Sequence, residues 1–327
     1  MRRIATLCIL VTLAGCASRP ASEPEDDAGR YPALQYLTGR GEGASAEEAR
    51  DRARADLAKT FEAEVLAQSD DEQSFDSAGG GYATRAARLV SVRTERMTEG
   101  VEIARSWVVP ATGRHHAIAV LSRGKSAHAL REEIERLDEA TRVHLRRAGE
   151  AADPLLKIDA AARALAAQRE RAGRQRALRV VDPAGVGLPS PWNLGRMQAD
   201  FDALLQRVRL GLRIGRDTTG SLAPILESAV RASGFREDAA PDYVLEASLS
   251  LQGAGPIDGW YWQHGVLELR VLDAHGGQAR AARRWPLKAA ALDDGLAVQR
   301  ALEAAERALR QDLTGTLVGP GRAATDH

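Results

Sequence analysis

Cys8 and Cys16 are the only thiols in the chain, and both lie within its first sixteen residues. Cys16 follows Leu13-Ala14-Gly15 directly, where small neighbours leave its sulfur open to covalent modification. The body of the protein therefore has no cysteine nucleophile, disulfide framework or cysteine zinc site. A second concentration is Trp260-Tyr261-Trp262, in a chain that is only 4% aromatic. Three adjacent rings serve either as core packing at a strand start or as a surface that stacks a partner or a sugar. On the second option Trp260, Tyr261 and Trp262 are the candidate partner-binding residues. His115 and His116 are adjacent, so on a strand their side chains diverge. His128, His144, His264, His275 and His327 are scattered, and no HExxH pattern occurs, so no metal site is expected. Asp293-Asp294 reads as a helix N-cap rather than a catalytic carboxylate pair. Gly39, Gly41 and Gly43 form G-x-G-x-G, not the dinucleotide-binding G-x-G-x-x-G. Gly124-Lys125-Ser126 lacks the glycine five residues upstream that a phosphate loop requires. No G-x-S-x-G elbow is present. The chain thus offers no catalytic residue and no cofactor motif.

The elements that must hold these residues come from 327 residues, room for about two ordinary domains. Basic and acidic residues balance at 45 each, which argues against a protein held to nucleic acid by bulk charge. The chain is 44% hydrophobic and 28% charged, as expected of a soluble globular protein whose core rests on Ala, Leu and Val.

Met1-Arg2-Arg3 followed by the apolar run Ile4 to Leu13 has the form of a secretory signal, too short to span a bilayer. Leu13-Ala14-Gly15-Cys16 resembles the lipobox of bacterial lipoproteins. That resemblance implies cleavage before Cys16, a diacylglycerol on its sulfur and further acylation of the new amino group. Each buried CH2 contributes about 0.8 kcal/mol, so two or more chains anchor stably. Ala17 and Ser18 are not acidic, and by the sorting rule of enteric-type lipoproteins this favours the outer membrane. Residues 17–30 contain no large apolar side chain and read as a flexible tether, spanning on the order of 20 Å.

Tyr31, Leu34, Tyr36 and Leu37 open a short strand, and Gly39 to Gly43 reads as a turn. Ser45 and Glu48 form a capping box for a helix that carries Ala46, Ala49, Ala53, Leu57 and Phe61 on one face. Glu48 and Arg52 pair on its exposed side. Further elements are expected as a strand over 63–69, a turn at Gly79-Gly80-Gly81 and a helix over 83–94. A strand through Val101, Ile103, Trp107 and Val108 then turns at Pro110 to Gly113 and returns over 117–121. The string Tyr36-Leu37-Thr38-Gly39-Arg40-Gly41-Glu42-Gly43, the Ala49/Ala53/Leu57 helix, Ser69, Trp107 and Ala117-Ile118-Ala119-Val120-Leu121 resemble the LPP-twenty family of outer-membrane lipoproteins. The resemblance covers under a third of the chain, departs from the family at His115-His116 and implies no catalytic residue.

Ser126 to Glu150 reads as a long helix with Leu130, Ile134, Leu137, Thr141, Leu145 and Ala148 as its stripe, and with Glu132–Arg136 and Asp138–Arg142 as pairs. Asp153-Pro154 caps a second helix that ends near Gly173, and the two make an antiparallel hairpin. Basic residues outnumber acidic ones over 142–179, which is either a patch for anionic envelope polymers or a solvated helix face. A Pro/Gly break over 183–191 precedes a helix over 192–205.

Beyond it, Val208 to Ile214 and Tyr243 to Leu251 alternate with period two. Thr219 caps a helix to Ser233 with Gly234 as its stop. Strands carrying Leu267/Leu269/Val271 and Trp285/Leu287 follow, then a helix striped by Val298, Leu302, Ala305, Leu309 and Leu313. The order β-α-β-β-β-α, with Ser233-Gly234-Phe235 and Asp242-Tyr243-Val244-Leu245-Glu246-Ala247, resembles the α/β domains of penicillin-binding-protein activators and of the curli secretion lipoprotein.

The expected fold is α+β: a small N-terminal α/β sandwich domain, a helical middle and a C-terminal β-α-β-β-β-α domain. The expected division is a signal peptide over 1–15, a lipidated Cys16 and tether over 16–30, an LPP-twenty-like domain over 31–125, a helical segment over 126–205, the C-terminal domain over 206–318 and a tail over 319–327. The expected function is a non-enzymatic envelope binding or assembly factor. It would be lipid-anchored at the periplasmic face of the outer membrane, with an envelope protein or a peptidoglycan-associated molecule as partner and no nucleic acid. The alternative is an envelope enzyme or glycan-binding protein that uses a C-terminal cleft.

Overall fold

The computed structural model describes residues 27–73 and 100–318. Cys16 with its leader, the Gly79–Gly81 turn, the helix over 83–94 and the tail over 319–327 lie outside the described residues. The fold is α+β, with two sheets among the described residues, and these fall into two compact units. One is drawn from residues up to 130 and 176–187, the other from 131–175 and 188 onward. No helix among the described residues is long and apolar enough to cross a membrane.

In the first unit a single helical turn, Asp27–Arg30, precedes β1 (Tyr36–Gly43), α1 (Ala46–Gln73), β2 (Val101–Val109) and β3 (Arg114–Ser122). The sheet is antiparallel in the order β1-β3-β2. The glycines expected to form a turn lie inside β1 instead. They serve helix packing. A Cβ on Gly39 would come within 2.4 Å of the Ala53 carbonyl oxygen, and one on Gly41 within 2.0 Å of that of Ala49. Only a strand bare on this side lets α1 approach so closely, and Ala49 and Ala53 on the helix are fully buried against it. The capping box forms: Ser45 Oγ accepts from the Glu48 N–H at 3.2 Å, and Glu48 reaches back to the Ala44 N–H at 2.7 Å. That backbone bond, and then the Arg52 guanidinium 2.6 Å away, hold the Glu48 carboxyl below its usual range. The strand expected over 63–69 is helix. The stripe Leu57, Phe61, Val65 keeps helical spacing and is buried throughout, so the apolar period runs on.

Helices α2 (Arg123–Glu150) and α3 (Pro154–Val181) follow. Asp153 caps α3, its Oδ1 accepting from the N–H groups of Leu155 at 2.8 Å and Leu156 at 3.3 Å. The helix passes through Gly173, because buried Leu178, Val180 and Val181 extend its apolar face and outweigh the cost of one glycine. Within the second unit the two helices run antiparallel, joined by a polar network. Gln168 donates to Thr141 Oγ1 at 2.8 Å and Asp138 Oδ1 at 3.1 Å, and Arg171 Nε donates to Asp138 at 2.8 Å. Asp138 therefore serves Arg171 across the hairpin rather than Arg142 along its own helix, and Arg142 pairs with Glu139. Arg171 and Arg174 are buried and paired, so part of the basic excess over 142–179 is interior structure.

Helix α4 (Leu194–Arg207) is capped by Asn193, which accepts from Arg196 N at 2.8 Å. It leads into β4 (Arg209–Asp217), α5 (Leu222–Ser233), the two-residue β5 (Arg236–Glu237), β6 (Tyr243–Ile257), β7 (Trp260–Asp273), β8 (Ala279–Ala291) and α6 (Asp294–Val318). The sheet order is β5-β4-β6-β7-β8, with β4 parallel to its neighbours and β6, β7 and β8 antiparallel. Thr219 does not cap α5. Asp217 organises that turn, accepting from Thr219 N at 2.9 Å and Leu222 N at 2.9 Å. Gly234 ends the helix at φ 83, as its stop signal requires. Leu210, Leu245, Leu249, Leu267, Leu269, Leu309 and Leu313 are fully buried and form one core with α5 and α6 on the inner face of the sheet.

Candidate functional site

Strand alternation decides where the aromatic triplet points. On β7 the odd positions Leu267, Leu269 and Val271 face the core. Tyr261 and Gln263 share that side. Gln263 is buried and donates to Asp294 Oδ1 at 2.9 Å, while Asp293 caps α6 through the Leu296 N–H at 3.1 Å. Trp260, Trp262 and His264 occupy the other side, the outer face of the sheet. The structure thus brings Trp260 and Trp262 together on one face and places Tyr261 on the opposite one.

The rings are carried on a long arm. Strands β6 and β7 remain paired well past the core, out to Ile257 and Trp260, and turn through Asp258-Gly259. Asp258 has φ 52 and Gly259 φ 80, the left-handed pair that a two-residue hairpin needs. The arm meets the core-covering part of the sheet at Gly265, where an added Cβ would lie 2.0 Å from the Ser250 carbonyl oxygen. Trp260 is 42% exposed. Trp262 and His264 stack with centroids 6.2 Å apart and planes at 17°. Lys288, directly opposite His264 on β8, sets its ammonium 4.8 Å from the Trp262 ring centroid, within cation–π range. His264 and Lys288 were not singled out in the sequence. The i, i+2 spacing of Trp260, Trp262 and His264 was a signal for the first, but Lys288 needs the β7–β8 register.

The rest of the outer face combines ion pairs with two apolar cross-strand pairs, Val244 with Leu272 and Val266 with Pro286. Arg213 and Arg270 flank Glu246 at 3.7 Å and 3.8 Å, and Arg284 stands 3.7 Å from Glu268. Ser248, Ser250 and Gln252 line β6 between these pairs and the indoles. At the far end lies an open concavity of about 610 Å³, lined by Gly211, Arg213, Asp238, Pro241 and Val244 among others. Two of its charged groups are engaged with neighbours, Asp238 with Arg236 at 2.7 Å and Arg213 with Glu246. It does not present the convergent polar groups of a reaction centre. No cluster of three metal-ligating side chains occurs among the described residues.

The sheet edges differ in character from this face. β5 is only two residues long. β8 carries Pro286 mid-strand, with Arg283, Arg284 and Lys288 around it, the features that discourage strand addition.

No protein-family model matches the chain, and no curated protein matches it in sequence. Solved structures similar to it are bacterial secreted proteins and lipoproteins. A secreted protein from Helicobacter pylori is 12% identical with a TM-score of 0.46, over 85% of this chain and 97% of that one. A minor lipoprotein from Acinetobacter baumannii is 12% identical with a TM-score of 0.30, over 34% and 93%. The rare lipoprotein B from Shewanella oneidensis is 18% identical with a TM-score of 0.23, over 34% and 90%. These likenesses are too slight to assign a fold family or an activity.

Proposed function

We propose that this chain is a bacterial envelope lipoprotein, anchored through Cys16 at the periplasmic face of the outer membrane, that works by binding rather than by catalysis. The observation that carries the binding part is the open outer face of the second sheet, where Trp260 and Trp262 stand beside His264 and Lys288. Exposed indoles are costly in water and dominate the energetics of the interfaces that cover them. The anchor rests on Leu13-Ala14-Gly15-Cys16 behind its charged and apolar leader. An LPP-twenty-like domain over 31–125 and a separate C-terminal domain over 206–318 complete the reading.

Cys16→Ser tests the anchor. Acyl labelling with radioactive palmitate and outer-membrane fractionation should both be lost in the variant. Retained label would overturn the lipid attachment, and retained outer-membrane fractionation without label would show another anchor.

A further inference from the structure

The binding reading leaves the partner unnamed, and the composition of the outer face narrows its chemistry. Along β6 the outward column is Val244, Glu246, Ser248, Ser250, Gln252 and Ala254, a run of about 30 Å at roughly 3.3 Å per residue. On the β4 side Gly211 and Gly215 present no side chain, and their neighbours take up the space, Pro241 lying 2.9 Å from where a Cβ on Gly211 would be. A Cβ on Gly215 would sit 2.4 Å from Ser248 Oγ. Apolar side chains on this face stand in two cross-strand pairs, Val244 with Leu272 and Val266 with Pro286, and Glu268 and Arg270 lie between them, so no contiguous dry centre of a protein–protein hot spot forms. It does offer hydroxyl, amide, carboxylate and guanidinium groups along a line that ends in two indoles. That pairing suits a sugar polymer, whose hydroxyls take hydrogen bonds while its C–H faces stack on aromatic rings. Charge adds the last constraint. Arg213, Arg270, Arg284 and Lys288 outnumber Glu246 and Glu268 on the face, and the contacts of 3.7 to 3.8 Å between them leave donors for an added anion.

We propose that the outer face of the second sheet binds a carboxylate-bearing glycan, the peptidoglycan of the cell wall, laid along β6 with sugars on Trp260 and Trp262 and carboxylates toward Lys288 and Arg284. This rests on the envelope-binding reading above and names its partner. The occupant is a polymer on an open face, not a small molecule in a cleft.

The test is co-sedimentation of the full chain in detergent with purified peptidoglycan sacculi. The wild-type chain should pellet with sacculi. Trp262→Ala and Lys288→Glu should each lower the bound fraction about tenfold, and raised salt should weaken binding. Trp262→Phe, which keeps a ring, should retain most of it and guards against a folding defect in the alanine variant. Trp107→Ala, in the other unit, should bind as wild type. Chitin, an uncharged sugar polymer, should pellet the chain poorly. Equal binding to chitin and sacculi would overturn the carboxylate requirement, and equal binding by the wild type and Lys288→Glu would overturn the site. If the chain fails to pellet while a photo-crosslinker at position 260 captures a protein in intact cells, the glycan assignment is refuted and the binding reading stands.

Discussion

Each unit holds a tryptophan–histidine stack with a cation over the indole, and the two stacks are built differently. In the first, Trp107 and His116 are direct cross-strand partners with centroids 5.4 Å apart, and the Arg105 guanidinium lies 5.1 Å from the ring centroid. Neighbouring Arg114 is paired with Glu42, so the cluster sits among satisfied charges. In the second, Trp262 and His264 are two residues apart on one strand, which sets the longer 6.2 Å separation, and Trp260 continues the row into solvent. The sheets differ in the same way. The first gives its glycine column to helix contact, while in the second α5 and α6 share the inner face and, among the described residues, no helix is found packed on the outer one. Trp107 and Trp262 are alike half-buried, so register and the exposed Trp260 are what set the second stack apart.

The sharpest way to break the comparison is Gly41→Val. Its side chain has no space beneath α1, so the first unit should lose about 4 kcal/mol or more, seen as loss of cooperative melting. A valine at Ser250, on the open face of the second sheet, should cost less than about 0.5 kcal/mol. Within the second unit, charges should divide between interior and open face. Asp138→Ala leaves buried Arg171 unpaired and should cost about 3 kcal/mol in urea denaturation. Glu246→Ala on the outer face should cost at most about 1 kcal/mol. Trp285 is 9% exposed, with its indole N–H on Asp312 at 2.8 Å, so Trp285→Ala should cost about 3 kcal/mol. Trp260→Ala should leave the melting temperature within experimental error.

Acid should act on both units, on the first through the lowered Glu48 and on the second through a larger set of such carboxyls. Burial pushes the Asp217 carboxyl up, but hydrogen bonds from Leu222 N, Thr219 and Gly220 N outweigh it and hold the carboxyl low. Asp153 behaves alike through Arg280, Leu155 and Leu156, and Asp242 is lowered first by its hydrogen bond from Arg209. A depressed carboxyl contributes stability above its unfolded value of 3.8 and loses it as pH falls through the folded one. The second unit should therefore weaken below about pH 4, as hydrogen exchange against pH would record. An unchanged exchange profile down to pH 3 would contradict this assignment.

Much of the second sheet was legible because its strands alternate so regularly: Tyr243 to Leu251 and Leu267 to Val271 gave their inner faces correctly. Helix α1 was legible at its cap; at its end Val65 alone favours a strand, while Ala63, Glu64, Leu66, Ala67 and Gln68 favour helix and the buried stripe through Val65 keeps the helical period. The β1 glycines misread as a turn because sequence shows that glycine is needed, not whether backbone angle or close packing needs it. Asp138 illustrates a related limit, since its local partner Arg142 was visible and its actual partner Arg171 lies a whole helix away. At the candidate site the aromatic row stood out by rarity. The extended arm was missed although Asp258-Gly259 is a hairpin signal, and Lys288 could not be placed without the register.

The central claim is that the outward row of β7 meets a partner and the inward row does not. Photo-crosslinking amino acids placed separately at positions 260 and 261 in intact cells test this most directly, because the two neighbours point to opposite faces. The account predicts an intermolecular adduct from position 260 and none from position 261. An adduct from 261 alone, or none from either, would contradict it.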